Sequence, residues 1–574
     1  MSTDTLEKLP RAYPRNFVPK DLVVRTFDDV RPLFEQLQAT DLETLPALET
    51  WMLNRSELEA VIDEVSSRIY IRTTVDTTDA DAKKSFLEWV EKFEPQLKPI
   101  QHELNVKFRD CSARSQLDAA VYGVYERNVL TALDLFDDKN VPLETELAKL
   151  TNRYEEIQGA LEIDFDGQKR TPQQMSKYQL ETDRDVREAS WRALSETRLA
   201  DGPQLDELFD QQVRLREQVA DNAGLDNFRD FQFRTFRRFD YTPQDCDKFA
   251  DAVEKVALPA VDRIVARRRE RMKLDVLRPW DTKVDPLGRA ALEPFTEVTD
   301  LISGCSRIFH KVDCDLGGQF DQMRDLGLLD LDNRPGKAPG GYQSTLSEAR
   351  LPFIFMNAVG VDLDLRTLLH EGGHAFHTYA SANQPLIDYR HAPMEFCEVA
   401  SMSMELLALP HIDEFYQGED LARARREFIE GVIEYFPWFA IVDQFQHWVY
   451  STRGSTIAQR EEKWLELNQR YSTGVDWSGL ESYRRNAWQR IGHMFFAPFY
   501  YIEYAIAQMG ALQVWLNSKR NGPAALEQYR TALSLGGSKP LPELFKTAGG
   551  HFDMGAETLA PLFDALEAEL AALD

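Results

Sequence analysis

The chain has 574 residues, 43% of them apolar and 28% charged, with a formal net charge of −28 at pH 7. This exceeds one ordinary domain and leads to an expectation of two or three lobes with ample core. The acidic balance argues against nucleic acid or anionic membranes as partners, since both want a basic face, and fits a solvated acidic surface. The five cysteines (Cys111, Cys246, Cys305, Cys314, Cys397) are scattered without ligand-type spacing and read as free thiols in a reducing compartment. The first ten residues lack the basic start and apolar run of a signal peptide. The most apolar stretches, such as Met494 to Ile502, are too short to span a bilayer, so a cytoplasmic location is expected.

In chain order, residues 1–20 carry Pro10, Pro14 and Pro19 and read as an extended arm. From Asp28 to about Leu133 apolar residues recur at three and four (Val30, Leu33, Leu37; Leu58, Val61, Ile62, Val65), the mark of amphipathic helices. Phe86, Leu87, Val90 and Phe93 continue the pattern in a segment expected to end at Pro95 and Pro99. Residues 1–134 are thus read as an N-terminal helical lobe and 135–574 as the catalytic region. A further helical run covers Leu143 to Leu161. Phe165-Asp166-Gly167-Gln168 is an Asp-Gly turn that predicts a short hairpin. Helices resume at Asp185, with a break at Gly202-Pro203 and a turn at Gly224. The basic run from Arg263 to Lys273 reads as a solvated helix face. Prolines and glycines between Leu274 and Ala349 predict loops with short strands. Leu351 to Asn357 predicts a strand, either an ordinary buried one or one whose edge pairs with an extended peptide. After residue 361 the pattern is helical almost to the end, so the fold is expected to be mainly α with a small β-sheet.

The chemistry gathers at Leu368 to His377, which contains His370-Glu371-Gly372-Gly373-His374. On a helix, with Asp362 or Asp364 as the expected N-cap, His370 and His374 point two imidazoles at one spot from the same face. That spacing suits a tetrahedral zinc ion, with Glu371 placed to act as general base on its water. The two glycines weaken a helix by about 1 kcal/mol each relative to alanine, and close approach of a backbone or substrate explains them better. The third ligand is not local. His377 shares the face, but three ligands on one straight helix would spread along roughly 10 Å of axis. Six residues past the second histidine stands Ala380. A second predicted helix, Pro393 to Glu405, offers Glu398 and Glu405 on one face beside Phe396, Val399 and Met402, where unpaired carboxylates would be expensive to bury. Glu398 is assigned as ligand and Glu405 as the carboxylate behind the histidines, with Glu395 as the alternative ligand.

These motifs resemble the thimet oligopeptidase superfamily of zinc peptidases, and within it the oligoendopeptidase F branch. The resemblance rests on His370 to His377, on Glu398-Val399-Ala400-Ser401, and on the segment from His493 to Tyr504. Weaker matches are Phe165-Asp166-Gly167, Arg334-Pro335-Gly336-Lys337 and Gly340-Gly341-Tyr342. It implies a helical two-lobed ellipsoid split by a deep channel, with one zinc ion per chain held by His370, His374 and Glu398 and with Glu371 as base. His493, Tyr501 and Tyr504 would stabilise the oxyanion, with the choice among Tyr500, Tyr501 and Tyr504 left open. Gly340-Gly341-Tyr342 would form a substrate-contacting loop. The expected partners are short peptides, with no nucleic acid and no membrane, and the oligomeric state is open. The leading function is a zinc-dependent oligoendopeptidase. The alternatives are a peptidyl-dipeptidase or carboxypeptidase on the same scaffold, using Arg350, Arg390 or Lys337 to hold a terminal group, or an inactive helical peptide-binding protein.

Overall fold

The computed structural model describes residues 9–10 and 12–573. Residues 1–8, 11 and 574 lie outside the described residues, so the first part of the expected extended arm and most of the stretch weighed as a leader are not described; the rest of the arm, through Lys20, forms neither helix nor strand. The architecture is mainly α. Among the described residues no helix is long and apolar enough to cross a membrane.

Helix α1 (Phe27–Ala39) starts in a capping box between Thr26 and Asp29 and buries Val30, Leu33, Phe34 and Leu37. Helix α2 (Leu45–Val75) begins with Thr44 accepting from the Ala47 N–H and with Pro46 in its first turn, where a missing N–H costs nothing. Both pack with residues 89–129 into a core that includes Phe27, Trp51, Phe93 and Phe108. The expected stop at Pro95 and Pro99 does not occur. A π-helical turn at Trp89–Phe93 leads straight into a helix over Glu94–Asp110, which takes Pro95 in its first turn and absorbs Pro99.

Strands β1 (Ile163–Phe165) and β2 (Gln168–Arg170) form the predicted hairpin. Its turn residues Asp166 and Gly167 both have positive φ, 52° and 71°, as a two-residue primed turn requires. Helices α3 (Arg184–Ala200) and α4 (Gly202–Asn222) meet at the predicted break. The stretch read as loops and strands also holds two helices, α5 (Val298–Val312) and α6 (Cys314–Asp325). Neither contains proline, and their buried faces (Leu301, Cys305, Ile308, Phe309; Leu316, Phe320, Met323) follow helical spacing that the flanking breakers obscured.

A three-stranded sheet follows, with β3 (Leu329–Asp332), β4 (Tyr342–Leu346) and β5 (Leu351–Ala358) in the order β3–β5–β4. Strand β5 is parallel to β3, antiparallel to β4, and buried along its whole length. The edge-pairing reading of Leu351 to Asn357 is therefore corrected: its backbone groups are used on both sides, and β4 is an outer strand. The N-terminal helix α2 grips the β4–β5 turn, since Glu64 accepts from the N–H groups of Glu348 (2.8 Å) and Ala349 (2.7 Å).

Helix α7 (Asp362–Ser381) runs from this sheet and carries the His-Glu-x-x-His motif. Its N-cap is Val361 rather than an aspartate. Asp364 works from the first turn instead, accepting from the N–H groups of Val359, Gly360 and Val361 at 2.7–3.0 Å. Helix α8 (Met394–Ala408) crosses α7 at very short range. A Cβ on Gly373 would stand 2.5 Å from Ser401 Cα and 2.7 Å from Ala400 O, and one on Gly372 would stand 2.5 Å from Phe309 Cζ of α5. Helices α9 (Gly418–Ser451) and α10 (Tyr501–Asn521) complete the surroundings, α10 lying along α8.

Gly373→Ala should lower stability by roughly 1–3 kcal/mol, because the added methyl meets backbone that cannot rotate away. The thermal unfolding midpoint of the variant checks this. An unchanged midpoint would mean the helices slide apart freely.

Candidate metal and active site

Three potential ligands converge where α7 meets α8. His370, His374 and Glu398 each offer a donor atom, all within 4.8 Å of one another. Glu398 Oε2 lies 3.3 Å from His370 Nε2 and 3.6 Å from His374 Nε2. Bonds of about 2.0–2.1 Å in a tetrahedron put ligand atoms about 3.3 Å apart, so this set fits zinc with little movement. Burial opposes a charged Glu398, yet His374 and His370 hold it well below the usual carboxylate range. Behind His370, Glu405 Oε1 is 2.8 Å from Nδ1. A carboxylate only accepts, so Nδ1 carries the proton and Nε2 keeps its lone pair for a metal.

Glu371 is buried, and its Oε2 has no hydrogen-bond partner among the described residues. An orphaned carboxylate oxygen one residue from a ligand histidine is what a site built around a cation and its water leaves open. Burial raises Glu371 above the ordinary carboxylate range, against the pull of His370 and His374. His377 is not in the cluster. It is buried against Phe396, and burial drives its imidazole down to about 3, so it packs as a neutral ring.

The aromatic segment supplies a second wall. His493 stands in a short helix (Gly492–Phe496), burial lowering its pKa to about 4. Tyr504 OH is 3.2 Å from His493 Nε2. Tyr500, left open by the sequence, donates to Glu398 Oε1 at 2.6 Å. Tyr501 turns elsewhere, and Trp438 Nε1 donates to its hydroxyl at 3.4 Å. The reason lies at Phe499, whose φ of 70° breaks the helical phase between His493 and α10. That strained residue is held at both ends. Gln446 accepts its N–H, and Arg238 donates to its carbonyl at 2.5 Å. Arg238 also pairs with Glu503 of α10 and approaches Glu395 of α8, which accepts from Tyr241 OH at 2.7 Å. Glu395 thus serves this buried network, and no sequence spacing pointed to Arg238 or Glu503.

The three cations suspected of holding a substrate terminus are engaged within the protein. Lys337 Nζ donates to Asp330 Oδ1 (2.8 Å) and to the carbonyls of Asp330, Asp332 and Met356. Arg350 donates to Ala382 O, and Arg390 to Ser347 O and Gln384 O. Tyr342, after the Gly340-Gly341 turn, stacks on Phe355, its hydroxyl 2.5 Å from Thr74 Oγ1 of α2. A cavity of about 800 Å³ opens beside His493 and Tyr501.

Residues 178–560 match Peptidase family M3, and residues 22–136 match the Peptidase M3 N-terminal domain. An oligoendopeptidase F homolog of Borreliella burgdorferi is 26% identical over 364 residues, 58% of this chain and 59% of that protein. Oligopeptidase PepF of Bacillus subtilis is 25% identical over 315 residues, 51% of this chain and 43% of that protein. The matched part spans less than two thirds of either relative's length. A solved structure of PZ peptidase A with inhibitor 2 superposes with a TM-score of 0.92 at 27% identity, covering 98% of this chain and 99% of that one.

Glu405→Ala should weaken metal binding at the candidate site by about 10–100-fold, since His370 loses the partner that fixes its tautomer and orientation. Competition against a metal chelator measures this, and unchanged affinity would show that the Nδ1 contact is dispensable.

Proposed function

The chain belongs to peptidase family M3, and from that membership we propose that it is a zinc-dependent oligoendopeptidase cutting internal bonds of short peptides. The observation that carries the reading is the convergence of three donor atoms beside the unpartnered carboxylate of Glu371. His370, His374 and Glu398 would hold one zinc ion, which when bound supplies a Lewis acid that lowers the pKa of water to about 7.

Glu371 takes the proton of the attacking water as that oxygen bonds to the scissile carbonyl carbon. The same carboxyl then gives the proton to the departing amine nitrogen as the C–N bond breaks. Burial favours this exchange by bringing the carboxyl closer to neutral pH than a solvated glutamate. Tyr500, Tyr504 and His493 are the donors proposed for the negative charge developing on the carbonyl oxygen. The geometry favours Tyr500 over Tyr501 here, because the Tyr500 hydroxyl lies against Glu398 while that of Tyr501 faces Trp438. Internal cleavage is favoured over removal of terminal residues by the engagement of Lys337, Arg350 and Arg390 within the fold. The five free cysteines support a reducing, cytoplasmic setting.

Glu371→Gln should retain zinc and lower kcat by about 10²–10⁴-fold, the usual worth of a general base. Metal analysis and mass spectrometry of products from a mixed peptide pool, with and without a chelator, check both halves. Normal turnover by the variant would sink the mechanism, and terminal trimming alone would move the reading to an exopeptidase.

A further inference from the structure

Resting on the peptidase reading, we propose that Arg198 and Arg490 form a subsite that binds a carboxylate of the peptide substrate, in the cavity beside His493. Both residues line that cavity, together with His493, Tyr501, Trp191 and Trp438. Arg198, on α3, has a buried Nε with no hydrogen-bond partner. Arg490 is open to the cavity and stands 5.6 Å over the Trp438 ring. Among the described residues neither has a carboxylate partner. Arg187 pairs with Asp281 and Arg423 with Asp285, while Arg216, buried without a carboxylate, donates instead to Tyr450 OH and to the carbonyls of Met494 and Phe495.

The remaining charges on the cavity wall are otherwise engaged or point to other partners. Arg268 donates to Val284 O at 2.6 Å, and Arg484 to Asn468 O at 3.0 Å. Glu434 has Arg268 and Lys283 as its neighbouring cations. Asp201 also lies on the wall and makes no ion pair with either arginine. Arg198 and Arg490 are close enough to repel one another. Burial, with Arg490 adding to it, brings Arg198 down to about 10. Two like charges facing one partly desolvated space are unfavourable until an anion arrives. Guanidinium groups receive a carboxylate through paired, planar hydrogen bonds, and the surrounding indole faces suit the flanking side chains of a peptide. The cavity, about 800 Å³, has room for more than one residue, so a carboxylate held there is compatible with cutting an internal bond.

A peptide offers this group at its C-terminus or on Asp and Glu. The test measures kcat/KM on two matched pairs, a free C-terminal acid against its amide and an internal Glu against Gln. The wild-type enzyme should prefer the acid of at least one pair by tenfold or more, and the pair that responds identifies the source. Arg198→Met and Arg490→Met should each bring that ratio toward one, and Arg198→Lys should restore part of it. Equal kcat/KM for acid and neutral partners in the wild type, which needs no variant to fold, would overturn the subsite alone. So would variants that keep the full preference. If the zinc-loaded enzyme cleaves no peptide at all, the peptidase reading itself falls.

Discussion

The contact on which the site depends is the bare Cα of Gly373 against the backbone of Ser401 and Ala400. Two histidines a turn apart define only one edge of a tetrahedron, and the third donor has to come from another element at short range. With no side chain at Gly373, α8 settles close enough for Glu398 to reach both imidazoles and for Glu405 to reach the far nitrogen of His370. On an adjoining side Gly372 admits the ring of Phe309, so α7 packs closely against both α5 and α8. The glycines weaken the helix taken alone and make the convergence of His370, His374 and Glu398 possible when it is packed.

A second constraint governs the wall facing His370, His374 and Glu398. Helix α10 is joined to α8 through Arg238, which binds Glu503 on one and approaches Glu395 on the other. Burial pushes Glu503 well above the usual carboxylate range even though Arg238 pulls it down, and Glu395 adds to the rise. Such a network is unfavourable to break, since a lost partner leaves a charge buried alone. Arg238 also holds Phe499 in its left-handed conformation, and that conformation turns Tyr500 toward Glu398. The orientation of the tyrosines is thus set by an arginine far from them in sequence.

The N-terminal helices contribute more than bulk. Helix α2 caps the β4–β5 turn with Glu64 and holds Tyr342 through Thr74, while the Lys337 ammonium ties β3 to β5 through carbonyls on both. The sheet from which α7 springs is therefore pinned from two directions. The chain carries a formal net charge of −28, yet the cavity beside His493 is lined by Arg198 and Arg490, which have no carboxylate partner among the described residues.

Much of this was legible in the residues, because it is local. The helix bearing His370 and His374, the Asp-Gly hairpin, and the shared face of Glu398 and Glu405 follow from periodicity and turn chemistry within a dozen positions. The prolines near residue 95 and the helices at 298–325 misled because a π turn and flanking breakers override simple period counting. What only the tertiary structure decided is which groups meet across the chain. Helical spacing could not choose Tyr500 over Tyr501, since the break at Phe499 resets the rotation between His493 and α10. Nor could it place β5 between two partners, or gather Arg198 and Arg490 on one cavity wall. Sequence spacing fixes direction within an element, whereas a site assembled from several elements depends on packing between residues hundreds of positions apart.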